Sequence, residues 1–344
     1  MRLRAAAACL LLVTFLTACG GNDTVPEAGR EILVLGVMGT SDSDDAGILG
    51  MIRGVEQAVA EYNGNDDSRY EIDLEEFNTQ ATPGEAGAGE SQVANSERLV
   101  GVVGPFAAAE VESLGPAFEA SGVPYLIPSV TASSVPQDGW RNFRRLVAND
   151  QREGRILAAH AAGRVGGGIV LVTEDSAEGE PFAEGAKEEL ERLQRAPSRV
   201  DTVEPNDPPV NLSAAIVKAG PEAVLYGGGG ASGKALIDEL RKAGFQGLMV
   251  ASHQIRDLNP AGLGGGVVSV SPGSDPAASQ RFAARYEDRF DAKPPVFALE
   301  AYEGALMLLD AVEEVQGDPR MVGEFLRLNR RFRGDSKNYD FDDR

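Results

Sequence analysis

In the second half of the chain, Gly228 to Lys234 reads G-x-x-x-x-G-K. That spacing is used to cradle phosphates: glycines bring backbone amides close and the lysine reaches the phosphate charge. The same chemistry needs a Ser or Thr next in line to hold Mg²⁺, and Ala235 stands there instead. Phosphate binding is therefore not expected at this loop. A second candidate is the acidic run at 41–47, Ser-Asp-Ser-Asp-Asp-Ala-Gly. It lacks the longer calcium-loop pattern with its terminal Glu and reads as a solvated loop, so no metal site and no cofactor is expected. The two histidines are His160 and His253, and neither belongs to an H-E-x-x-H zinc helix. There is no G-x-S-x-G nucleophile elbow. The residue types and spacings therefore predict a protein that is not an enzyme.

Cysteine chemistry is confined to the N-terminus. The two cysteines are Cys9 and Cys19. Arg2 and Arg4 precede an apolar run from Ala5 to Ala18, shorter than the ~20 residues a membrane-spanning helix needs. A basic start, a short apolar core and small residues at its end form an export signal, here 1–18. Leu16-Thr17-Ala18-Cys19 resembles the bacterial lipobox, in which Cys19 is acylated and becomes the first mature residue. The plainer alternative is ordinary cleavage that leaves a spare cysteine. Residues 19–30 lack apolar periodicity and read as a flexible tether. A diacylated cysteine carrying a third chain would hold the protein firmly, where a single chain is marginal. The expected location is extracytoplasmic, on the bacterial cell membrane.

These residues need a scaffold, and the composition supplies one. At 42% hydrophobic and 25% charged, the chain can build real cores, and its length suggests two domains. The formal net charge of −21 argues against nucleic acid as a partner and against docking on an anionic membrane through the surface. Short apolar runs alternate with amphipathic helical stretches. Strands are expected at 31–38, 70–77, 98–106, 122–128, 168–174, 198–205, 222–227, 247–252 and 265–273, with a short strand within 338–343. Helices are expected at 46–62, 84–97, 108–121, 151–164, 181–195, 211–219, 233–243, 276–290, 296–315 and 319–330. Such alternation predicts an α/β protein with parallel sheets covered on both faces. Two blocks, 31–147 and 148–271, suggest two Rossmann-like lobes joined by a hinge, the first completed by 272–344. Ligands of open α/β sheets bind beyond the carboxyl ends of the strands, so the site is expected in the cleft between lobes.

Four stretches in this order and spacing resemble the type I periplasmic solute-binding proteins, in their leucine/isoleucine/valine-binding branch. They are LGVMGTSDSDDAGILGMIRGVEQAVAEYN (from Leu35), VGVVGPFAAAEVESLGPAFEASGVPYLIPSVTAS (from Val100), AVLYGGGGASGKALIDELRKAG (from Ala223) and FALEAYEGALMLLDAV (from Phe297). The resemblance spans about 31–343. It implies that the glycine loop lies at the cleft edge of the second lobe, with Lys234 in solvent. It also implies a carboxylate subsite in the first lobe, made of backbone amides and hydroxyls, and an acid of the second lobe for the ligand's ammonium.

Carried over residue by residue, the first-lobe subsite falls on Phe106, Ala107, Ala108, Ser129 and Thr131. Ala108 stands where the branch has a hydroxyl, so one donor is lost. Thr131 is either a ligand donor or a helix N-cap. In the second lobe, Glu178 and Gly229 stand where the branch has tyrosines, and the acid falls near Ser252 or His253. An aromatic of the first loop falls near Gly47. Glu178 is either a replacement acid or a solvated loop carboxylate. His253 is a hydrogen-bonding or pH-sensing group or neither.

The resemblance implies a monomeric receptor, anchored through Cys19, that presents a small amino-acid-like or amide-like solute to an ABC permease. The alternative is a sensor or scaffold lipoprotein of the same fold with no transport role; neighbouring permease and ATPase genes would favour the former. Members of the branch also continue into a further strand returning to the second lobe, where this chain reads YDFDDR. A third interlobe connection is therefore not expected, which would loosen the hinge or leave a sheet edge unpaired.

Overall fold

The computed structural model describes residues 29–39, 41–77, 98–136, 139–205, 210–258 and 267–341. The export segment, Cys19, most of the tether and the helix expected at 84–97 lie outside the described residues.

Among the described residues, seven elements build the first half: β1 (Glu31–Met38), α1 (Ala46–Asn63), β2 (Tyr70–Phe77), β3 (Leu99–Val103), α2 (Ala108–Ser121), β4 (Tyr125–Ile127) and β5 (Phe143–Arg145). Their strands form a five-stranded sheet in the order β2-β1-β3-β4-β5, parallel throughout. The chain then runs through α3 (Asp150–Arg164), β6 (Ile169–Glu174), α4 (Gly179–Arg192), β7 (Arg199–Val203), α5 (Val210–Ala219), β8 (Ala223–Gly227), α6 (Gly230–Lys242), β9 (Leu248–Ala251) and β10 (Val267–Val268). A second five-stranded parallel sheet results, in the order β10-β9-β8-β6-β7. Two lobes of this kind were expected from the alternation of apolar runs and amphipathic stretches.

The strand sequences record their places. Central β3, LVGVV, and β8, AVLYG, are buried at every residue, because helices cover both faces of a parallel sheet. Edge strand β2 alternates covered and exposed positions, and edge strand β7 buries only Val203. β5 was not anticipated. Its FRR sequence buries only Phe143, and two arginines at a sheet edge hide a strand from any hydrophobic pattern.

Three helices follow: α7 (Gln280–Phe290), α8 (Ala298–Glu314) and α9 (Pro319–Leu328). They return to the first sheet. Phe282, Tyr286, Ala305, Leu308, Val312 and Val322 share one core with Leu35, Val37, Ile52, Val55 and Val59. α1 and α8 approach closely at Gly54, where a Cβ would overlap the Ala298 carbonyl oxygen. The helix expected at 276–290 divides into a 3₁₀ turn at Pro276–Ala278 and α7, because Ser279 caps α7 by accepting the Phe282 N–H at 3.2 Å. The strand expected at 265–273 is reduced to Val267–Val268 among the described residues.

An antiparallel hairpin of β11 (Arg331–Arg333) and β12 (Asn338–Asp340) comes last, pairing Phe332 with Tyr339. It joins neither large sheet and packs on α8. The chain crosses between lobes after β5 and after β10, and the two connections lie side by side: Ala148 N–H donates to the Pro272 carbonyl at 3.2 Å. From the hairpin, Lys337 Nζ donates to the Leu146 carbonyl and to Glu300 Oε1, each at 3.2 Å. The hairpin thus ties the first connection to α8.

Candidate functional site

The glycine loop follows β8. Gly228 has φ of +149°, a conformation that glycine adopts without a Cβ clash. Gly229 donates its N–H to Glu174 Oε2 at 2.7 Å, Tyr226 Oη donates to the Gly229 carbonyl at 3.0 Å, and Ser252 Oγ donates to the Gly228 carbonyl at 2.7 Å. Glu174 is buried at the end of β6. A carboxylate therefore already occupies the amide that a phosphate would need. α6 starts at Gly230, three residues before the expected Gly233. Lys234 points to solvent and pairs with Asp238 at 2.6 Å. The loop is a backbone turn braced by an acid.

The acidic run is likewise structural at its end. Asp45 caps α1, its Oδ1 accepting the N–H groups of Gly47 and Ile48 at 2.7 and 3.0 Å. Asp42 and Asp44 are exposed.

In the first lobe, the loop before α2 brings Phe106, Ala107 and Ala108 together with Ser129, whose hydroxyl donates to the Phe106 carbonyl at 2.9 Å. The Phe106 side chain is buried in the lobe's core. Ala107 is the N-cap of α2 and, having no side-chain oxygen, leaves the first amides of that helix uncapped. These are the groups an anion would meet at a helix N-terminus.

Thr131 joins the lobes. Its carbonyl accepts the Asp150 N–H at 3.0 Å, and its side chain is near enough to the Asp150 carboxyl to pull its pKa down. The N-cap of α3 is Asn149, which accepts the Arg152 N–H at 2.8 Å. Asp150 and Glu153 lie in the first turn of α3, each only 2% exposed. Glu153 receives two bonds from His253: its Oε1 accepts the His253 backbone N–H at 2.6 Å, and its Oε2 lies 2.7 Å from Nδ1. Glu178, at the cap of α4, is near enough for its charge to act on Asp150.

Burial pushes the Asp150 carboxyl up to about 7. Hydrogen bonding from Thr131 and the field of His253 pull it down, while the charges of Glu153 and Glu178 push it further up. The Arg145 guanidinium, also buried, donates to the carbonyls of Val130 and Ala132 at 2.9 Å each. Burial pulls it down to about 10, against the field of Asp150.

Of the residues predicted for the site, Thr131, Glu178 and His253 therefore converge on one cluster. Phe106, Ala107, Ala108 and Ser129 form a second group at the carboxyl end of the first sheet, and Gly229 belongs to the braced loop. Asp150, Glu153 and Glu174 were missed. A signal existed for Glu153: it falls on the apolar stripe of α3 with Leu157 and Ala161, all buried. An acid at such spacing must find a partner inside.

This arrangement, with polar groups gathered past the carboxyl ends of two parallel sheets, is that of a hinged binding protein. Residues 34–323 match the model of the family described as periplasmic binding protein, and the chain belongs to that family. Its fold is the type I architecture of the leucine/isoleucine/valine-binding branch. The leucine-, isoleucine-, valine-, threonine-, and alanine-binding protein of Pseudomonas aeruginosa is 23% identical over 270 residues, covering 70% of this chain and 69% of that protein. An ABC transporter substrate-binding protein from Desulfitobacterium hafniense, solved in complex with Leu, superposes with a TM-score of 0.74 at 18% identity, covering 91% of this chain and 93% of that one. A solute-binding protein of an ABC transporter from R. palustris, solved in complex with benzoate, gives a TM-score of 0.66 at 18% identity, with 91% and 89% covered. Membership of that family makes the protein an extracytoplasmic solute-binding protein and not an enzyme.

Proposed function

We propose that the protein is a monomeric, lipid-anchored receptor, acylated at Cys19 and held by the tether 19–30. It captures a small amino-acid-like or amide-like solute between the lobe formed by 31–147 with 272–344 and the lobe formed by 148–271. It then delivers the solute to an ABC permease. One observation carries the reading of the site: Thr131 of the first lobe meets Asp150, Glu178 and the Glu153–His253 pair of the second at the point where the chain crosses between lobes. The acids suit an ammonium or amide N–H group of the solute. The uncapped amides of α2, with Ser129 and Thr131, suit its carboxylate or carbonyl. Contacts from both lobes favour the closed state, which drives a hinge motion.

The pocket departs from an α-amino-acid clamp. Gly47, Glu178 and Gly229 stand where aromatic side chains are expected, so leucine, isoleucine and valine should bind weakly or not at all. A thermal-shift screen of amino acids, amides, short peptides and aromatic acids tests the proposal, since a ligand that favours the folded state raises its melting temperature. A hit confirmed by calorimetry, and weakened by Glu178→Gln, is the expected result. Micromolar leucine binding would contradict this reading of the pocket and leave the fold untouched.

A further inference from the structure

We infer that Asp150, Glu153 and His253 form a binding site for a divalent metal ion of borderline softness, Zn²⁺ being the best match. One imidazole nitrogen and one oxygen from each carboxylate lie within 4.8 Å of one another. Two carboxylates and an imidazole are a ligand set that zinc accepts, leaving a fourth position open. Calcium and magnesium favour oxygen ligands alone, so the histidine selects against them.

Two observations beyond the clustering point to a cation. Asp150 is 2% exposed, and its Oδ2 has no hydrogen-bond partner. A buried carboxylate oxygen left bare is costly, and a metal ion would satisfy it. The surroundings are also built as ligand supports. Glu153 Oε1 accepts the His253 backbone N–H, which fixes the carboxylate, and the Asp150 backbone is held by its N–H bond to the Thr131 carbonyl. Outer partners of this kind hold metal ligands in place. Glu178 adds a third acidic charge acting on Asp150, and the Arg145 guanidinium, whose field also meets Asp150, offsets one of the three and leaves a net negative cluster. The local charge thus favours a divalent ion. His253 is partly exposed, while Asp150 and Glu153 are buried. Binding would draw the Glu153 and His253 donor atoms apart from their present 2.7 Å, since two ligands of one zinc ion sit about 3.3 Å from each other when each lies at ~2.0 Å from the metal. Asp150 and Glu153 are also among the acids offered to the solute above, so zinc and a solute ammonium would compete for them, and the site is tested in the solute-free protein.

Zinc titration of the purified full-length protein, followed by calorimetry and by imidazole NMR, tests it. One equivalent should bind at micromolar affinity or tighter, and Co²⁺ should give the visible absorption of a four-coordinate site. With only two histidines in the chain, one imidazole, that of His253, should shift on zinc addition while that of His160 stays put. Asp150→Asn and His253→Gln should each weaken binding by more than the roughly 10–100-fold that loss of an outer partner costs, and Asp42→Asn with Asp44→Asn on the exposed loop should not. Absence of zinc binding, movement of both imidazoles alike, or loss of binding in the loop variant would overturn the proposal. The NMR readout on the unaltered protein decides the matter even where a variant fails to fold.

Discussion

Glu174 and Gly229 are bonded across the top of the second sheet, with the carboxylate Oε2 accepting the Gly229 N–H at 2.7 Å. This bond decides how the glycine loop works: the amide faces a built-in acid, so the loop is held open for its neighbours and does not wait for an anion. Glu174→Ala should leave that amide without its partner and cost about 1–3 kcal/mol of stability. Urea unfolding measures it, and a loss below a few tenths of a kcal/mol would mean the bond is not formed in solution.

Lys337 is the cation of a fully buried acid. Glu300 is 0% exposed and its Oε1 accepts from Lys337. Lys337→Met should cost on the order of 3 kcal/mol, because it strands a buried charge. Adding Glu300→Gln should recover part of the loss. If the double variant is no more stable than the single one, the pair does not carry the effect. The same pair bears on the hinge, since Lys337 also holds Leu146 in the first connection. A loosened hinge or an unpaired sheet edge was expected from the family comparison; the hairpin supplies a fastening the sequence did not announce.

Glu303 predicts a dependence on pH. It is buried on α8, bonded by Tyr339 Oη and by the N–H and hydroxyl of Ser336. Burial raises its carboxyl above the ordinary 4.5, against those hydrogen bonds. The folded protein therefore keeps this proton at pH values where the unfolded chain has lost it. The stability contributed is complete below the unfolded value of 4.5 and falls as pH rises through the folded one. Glu303→Gln should remove this slope: the variant gains on the natural protein as pH is raised from 4 upward. Parallel stability–pH curves for the two proteins would refute it.

Gly54→Ala tests the return of α8 to the first lobe. A Cβ there would overlap the Ala298 carbonyl oxygen, so the two helices must separate. Overpacking of this kind costs about 1–3 kcal/mol, read as a lowered melting temperature. An unchanged melting temperature would mean that α1 and α8 are not in this contact.

Thr131→Val tests the junction between lobes. It removes the hydroxyl proposed to meet the solute and should weaken capture of the solute found by screening about 3–10-fold, the usual worth of one neutral hydrogen bond. Equal affinity in calorimetry would exclude Thr131 from binding.

The sequence by itself determined the two parallel sheets. Buried strands such as LVGVV and AVLYG must be apolar along their whole length, and edge strands such as YEIDLEEF must alternate, so strand position is written in local pattern. Family order and spacing also located Thr131, Glu178 and His253. Tertiary structure alone decided that these three meet Asp150 and Glu153, that Glu174 braces Gly229, and that Lys337 reaches Glu300 and Leu146. Those partners lie between 19 (Thr131 and Asp150) and 191 (Leu146 and Lys337) residues apart. A hydrophobic period reports which face of an element is buried. Which acid on one buried face meets which donor on another depends on how the lobes and helices pack, and no local pattern carries that.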